Sequence, residues 1–118
     1  MRGFRLAITL LALLQVGCSS PGSVTGASVR DANFEVVKVL SPEEIPAFAR
    51  LWDDKQEVQV SFVGVGGQHF KLDVERQHSS RRWLYQTTGY ASLLDISAKP
   101  VYKLRDAETF NKLIGAPQ

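Results

Sequence analysis

A single cysteine, Cys18, stands in a chain of 118 residues, so no disulfide can form within it. Whatever the chain folds into must be held by packing and hydrogen bonds alone. Everything ahead of that cysteine reads as a leader. Arg2 and Arg5 make a short positive start, and residues 6–14 form a nine-residue apolar run broken only by Thr9. A helix needs about 20 apolar residues to cross a hydrocarbon core. The run is too short for a permanent span and fits a secretory signal over residues 1–17.

Val16-Gly17-Cys18 closes the leader, small residues running into the cysteine. This resembles the lipobox of bacterial lipoproteins, in which the cysteine sulfur takes a diacylglycerol and becomes the mature N-terminus. Gln15 stands where that family usually has Leu, with Leu14 one step further back. The resemblance covers the leader alone. It implies lipidation at Cys18 and attachment to a membrane through acyl chains. Each buried methylene adds about 0.8 kcal/mol, and two or more chains anchor stably. Ser19 after the cysteine, rather than Asp, resembles lipoproteins forwarded to the outer membrane, here facing the periplasm. A plain signal peptide cut near Thr25-Gly26-Ala27 is the alternative. Lipidation is preferred because it gives an unpaired cysteine in an exported chain a use.

The formal charge of +2 belongs to the leader. Without Arg2 and Arg5 the 14 basic residues fall to 12, against 12 acidic ones, so the body is neutral. Nucleic-acid binding leans on excess basic charge to displace counterions, and this body has none to offer. Residues 19–32, SSPGSVTGASVRDA, are rich in Ser and Gly. With Cys18 they read as a lipidated N-terminus and flexible tether, residues 18–32, ahead of a domain over 33–118.

Within that domain, FEVVKVL at 34–40 is apolar on both sides and predicts a strand buried on both faces. Ser41-Pro42-Glu43-Glu44 carries helix-start signals. Ile45, Phe48, Ala49 and Trp52 follow as one helical stripe. Pro46 conflicts with a helix that begins at Ser41, so the capping segment fits a separate turn. Val58, Val60 and Phe62 alternate over 57–63, and Phe70, Leu72 and Val74 over 70–75, as two strands joined through the glycine-rich 64–68. Residues 76–81 read as a polar loop. Residues 82–87 and 90–96 form a hairpin about Thr88-Gly89, 101–105 a last strand, and Asp106 caps a closing helix that Gly115 ends. The expected fold is α+β: one small domain, an antiparallel sheet of five to six strands, two helices packed on one face.

Motifs for chemistry are sparse. Gly64-x-Gly66-Gly67 lacks the Lys-Ser/Thr of a phosphate loop and is followed by a strand pattern, which argues against a nucleotide. His69 and His78 lack the spacing of a helical zinc pair, so no metal or other cofactor is expected. Asp53-Asp54 reads as a solvated helix end, because neighbours on a helix point apart. With no nucleophile elbow and no acid–base pair, the expectation is that the protein is not an enzyme. What remains is Arg76, His78, Arg81, Arg82 and Trp83, three guanidiniums and an imidazole crowded beside an indole. A solvated loop is the plainer reading. The sharper one is a contact surface, since guanidinium forks pair with carboxylates and phosphates. The aromatics Trp83, Tyr85, Tyr90 and Tyr102 read first as core.

The reading that follows is a small envelope lipoprotein, attached to the membrane through Cys18, with a non-catalytic binding or scaffolding role. Its partner would be an envelope protein or a cell-wall glycan. The alternative is an inhibitor of a secreted or cell-wall hydrolase, with 64–68 or 76–82 as the inserting loop.

Overall fold

In the computed structural model, residues 22–95 and 97–117 are described. The leader, Cys18 and the first residues of the expected tether lie outside them. Among the described residues the architecture is a seven-stranded antiparallel sheet with two helices. The strands are β1 (Val24–Arg30), β2 (Val36–Val39), β3 (Gln56–Val58), β4 (His69–Arg76), β5 (Ser80–Gln86), β6 (Tyr90–Leu93) and β7 (Val101–Lys103). Helix α1 (Ile45–Asp53) lies between β2 and β3, and α2 (Ala107–Ile114) closes the chain. The α+β class agrees with the sequence, while the sheet has seven strands rather than five or six. Their order is β2-β1-β4-β5-β6-β7-β3.

The extra strand is the expected tether. Residues 24–30 form β1, paired on one side with β2 and on the other with β4. Its apolar residues are few and its register shifts between Val24 and Gly26, so the inward positions are Val24, Ala27 and Val29. That shift breaks the period of two by which a half-buried strand is recognised. The body therefore includes residues 22–32, and the boundary at 33 is corrected.

The FEVVKVL segment is corrected in the other direction. It is the outer strand β2, and Val36, Val37 and Val39 are 48, 54 and 69% exposed. Three β-branched residues at an edge read from sequence like three in a centre, because neighbour pairing is set by the rest of the chain.

Of the two alternations, the one over 70–75 lies in β4, whereas the one over 57–63 is corrected: Val60 is 44% exposed outside any strand, and the two segments do not pair with each other. β3 stops at Val58 and joins β7, while β4 lies between β1 and β5. Phe62 is buried from a short 3-10 turn, Phe62–Gly64, instead of from a strand. The glycine-rich segment becomes a long connection stapled to the turn between β5 and β6. Thr88 donates to the Gly66 carbonyl at 2.9 Å, and the amide of Gln68 donates to the Thr87 hydroxyl at 3.0 Å. In that turn Gly89 has φ +101°, and a Cβ there would stand 2.8 Å from that of Ala107.

Alternation along β4 and β5 sends Leu72, Val74 and Tyr85 to the side on which the helices lie. Helix α1 adds Phe48 and Trp52, and α2 adds Phe110 and Ile114. The rings meet closely: the Phe110 centroid lies 5.7 Å from Trp52 in a stacked pair, 5.4 Å from Phe48 in a tilted one and 5.1 Å from Tyr85 edge-on. The Ser41 amide and hydroxyl both donate to Glu44 Oε1, forming a turn ahead of α1. Asp106 caps α2 by accepting from the Thr109 amide at 3.1 Å. Lys38 ties the ends together, donating to Glu44 at 3.0 Å and to the Leu113 carbonyl at 2.6 Å. A cation there also suits the negative end of α2. Among the described residues no helix is long and apolar enough to cross a membrane.

Candidate functional site

The expected contact residues meet at one end of the sheet, where β4 turns into β5. The turn is tighter than the loop expected over 76–81: β4 runs to Arg76 and β5 starts at Ser80. The Arg76 amide closes it by donating to the Ser79 carbonyl at 2.7 Å. The Gln77 amide donates to the Ser23 carbonyl at 3.0 Å, which docks the start of β1 against the tip. Gly22 sits tighter still. A Cβ there would lie 2.7 Å from Gln77 Cβ, and its φ is +86°.

The period of two then divides two neighbouring arginines. Arg81 is opposite Val74 and Trp83 opposite Leu72, so both point to the helix side. Arg82 is opposite Asp73 on the other side. There it grips Asp73 with two bonds, 2.6 and 3.1 Å, and Arg30 adds a third at 2.8 Å. The Arg82 hydrogen bonds, and after them those of Arg30, hold the Asp73 carboxyl below the ordinary carboxylate value. Phe34 covers this group, its ring 4.5 Å from Lys71 Nζ and 5.5 Å from the Arg82 guanidinium carbon.

On the helix side, Arg76, His78, Arg81 and Trp83 line an open cleft of about 720 Å³, together with Gly22 and Asp53. Arg76 is satisfied there. It is ion-paired with Asp53 at the end of α1 and donates to the Gly22 carbonyl at 3.0 Å. Arg81 is exposed and has no ion pair among the described residues, and His78 is likewise exposed with none. Four of the five expected residues thus come together, and Arg82 does not.

Behind the cleft stands a residue the sequence did not single out. Lys55 Nζ lies 4.0 Å from the Trp52 ring, 4.7 Å from Trp83 and 5.5 Å from Tyr102. Burial pulls its pKa down to about 8, Arg76 pushes the same way, and Asp53 opposes both. Attraction to the ring faces offsets part of that cost. The rings brace one another, Trp83 edge-on to Trp52 at 5.1 Å and to Tyr102 at 5.8 Å. Trp83 is thereby a fixed wall. Of the other aromatics, Tyr85 is fully buried and Tyr90 half-buried.

The remaining candidates disperse. Asp53 and Asp54 part as expected, one to Arg76 and one to Arg105 at 3.3 Å. His69 is exposed on β4, edge-on to Phe62. Among the described residues no three His, Cys, Asp or Glu side chains are grouped as metal ligands. Comparison with protein-family models, with curated proteins and with solved structures finds no match. The geometry alone therefore carries the functional reading. It offers, among the described residues, a guanidinium with no ion pair and an imidazole on the lining of a half-apolar cleft, which suits holding an anion on a larger body.

Proposed function

We propose that this protein is a small envelope lipoprotein, held by acyl chains on Cys18, that binds a partner without catalysis. The partner is an envelope protein or a cell-wall component that carries an anionic group. The proposed location is the outer membrane, facing the periplasm. One observation carries this reading: Arg76, His78, Arg81 and Trp83 converge on a single cleft, in which Arg81 has no ion pair among the described residues. At about 720 Å³ the cleft is the size of a small-molecule site. Arg76, already neutralised by Asp53, serves to shape it.

The test is capture from a detergent extract of the envelope, with the full acylated chain as bait at moderate salt. One stoichiometric protein, or a defined cell-wall fraction, is the expected result; an empty column refutes the binding role. The mass of the mature N-terminus tests the anchor separately, since a Cys18→Ser chain should lose both the acyl mass and retention in the membrane fraction.

The second reading, inhibition of a hydrolase, draws on the 3-10 turn, where Val63 protrudes at 85% exposure. Under it, added protein suppresses cell-wall lysis and Val63→Asp removes the effect.

A further inference from the structure

Strand β1 starts beside the cleft. Gly22, two residues ahead of Val24, lines the cleft, and its carbonyl accepts from Arg76. The close approach to Gln77 sets Gly22 against the hairpin tip. Four steps of chain separate Gly22 from Cys18. An extended chain covers at most about 3.3–3.6 Å per residue, so the lip of the cleft stands no more than about 14 Å from the acylated residue. Lipid headgroups fill about 5–8 Å on each side of the hydrocarbon. An acyl-anchored body tied this closely brings the cleft to the headgroup layer.

Its lining has the same division as a phospholipid at that depth. Arg81 and His78 supply the polar side, while Trp83, Val74 and Leu93 supply an apolar wall. Asp53 is the carboxylate on the lining, and it is occupied by Arg76. Lys55, held behind Trp83, adds positive potential from within.

We propose that the cleft binds the phosphate of an anionic membrane lipid, with the Arg81 guanidinium on the phosphate oxygens and the glycerol and first methylenes against Trp83 and Leu93. This deepens the binding role proposed above and rests on the anchor at Cys18. A peptide carboxylate would also satisfy Arg81, but the short reach of chain between the cleft and Cys18 favours the lipid. Bound so, the molecule is docked with this end of the sheet toward the membrane.

The experiment is a titration of the full chain in zwitterionic detergent, read by the NMR signals of the Trp83 indole and the His78 ring. The probes are dihexanoyl phosphatidylglycerol, dihexanoyl phosphatidylcholine, inorganic phosphate and a short acidic peptide. The phosphatidylglycerol should shift both signals and saturate, with the phosphatidylcholine at least tenfold weaker because its choline cation faces Arg81. Inorganic phosphate should shift the same signals more weakly. Arg81→Gln should weaken phosphatidylglycerol at least tenfold and Arg82→Gln should leave it unchanged. Equal binding of the two lipids, or binding indifferent to Arg81→Gln, overturns the proposal. Shifts from free phosphate without competition by the lipid also overturn it. A response to the peptide alone overturns it while leaving the binding role intact. No response to any probe, with an empty capture column, removes both.

Discussion

Tyr85→Phe tests the buried centre of this fold most sharply. Tyr85 is fully buried and Asn111 is 6% exposed. The Tyr85 hydroxyl donates to Asn111 Oδ1 at 2.5 Å, and Asn111 Nδ2 donates to the Thr87 carbonyl at 2.8 Å. This chain of bonds ties β5 to α2 and to the turn that holds the glycine-rich connection. Phenylalanine keeps the ring and its contact with Phe110, 5.1 Å away, and removes one donor. Asn111 Oδ1 is then left in a dry site, which costs about 1–3 kcal/mol. For a domain of 60–100 residues each kcal/mol lowers Tm by roughly 4–8 °C. The assay is urea unfolding followed by tryptophan fluorescence. The midpoint should fall with the slope unchanged, since the surface exposed on unfolding is the same. Asn111→Ala should cost at least as much, since it also frees the Thr87 carbonyl, and the double variant should fall short of the sum by about 1 kcal/mol, because both singles break the bond they share. A loss under about 0.5 kcal/mol for Tyr85→Phe, the range of a neutral surface change, or strict additivity, refutes the account of this network.

The titrating groups set three further expectations. Lys55 is shifted down to about 8 in the folded state, and unfolded lysine titrates near 10.4. The unfolded chain thus binds more protons between those values, and stability should rise with pH from about 8 to 10; Lys55→Met should flatten that rise in a pH series of urea midpoints. Burial raises Tyr85 above its ordinary value, so its contribution is present below about pH 10 and is lost above it. Loss of midpoint beyond pH 10 should be smaller in Tyr85→Phe. Asp73 is depressed by Arg82 and Arg30, so its contribution is present above the unfolded value and disappears as pH falls through the folded one; Asp73→Asn should lessen the dependence of stability on pH below about 4, the ordinary carboxylate range. Gly22→Ala meets both a positive φ and Gln77 Cβ. Hydrogen exchange at the Gln77 amide should quicken in that variant, with the core amides of β4 unchanged.

Much of this fold was legible residue by residue, and less of it strand by strand. The inward set of β4, the turn at Gly89, the cap at Asp106 and the separate turn before α1 all follow from local chemistry, and the chain obeys it. Pairing is a different matter. β3 and β4 are consecutive strands that end on different neighbours, because nothing in their alternation names a partner. β1 was hidden by small residues and a register shift, and β2 was misplaced because exposed valines and buried valines are spelled alike. The site shows the same division. Arg76, His78, Arg81 and Trp83 were visible as a crowd of residue types. The separation of Arg82 from Arg81 needed only the period of a strand, but the sequence read the segment as a loop. Lys55 could not be found that way, since its ring partners arrive from α1, β5 and β7.

The most direct test of the central claim sets those two arginines side by side. Arg81→Glu and Arg82→Glu change the same charge one residue apart, on opposite faces of β5. Each full acylated chain serves as bait on the same envelope extract, and each is checked for folding by its unfolding midpoint. Arg81→Glu should lose the partner and keep the wild-type midpoint, while Arg82→Glu should keep the partner and unfold more easily, since it faces Asp73. Equal loss of capture in both, or loss in Arg82→Glu alone with the fold intact, contradicts a binding site in this cleft.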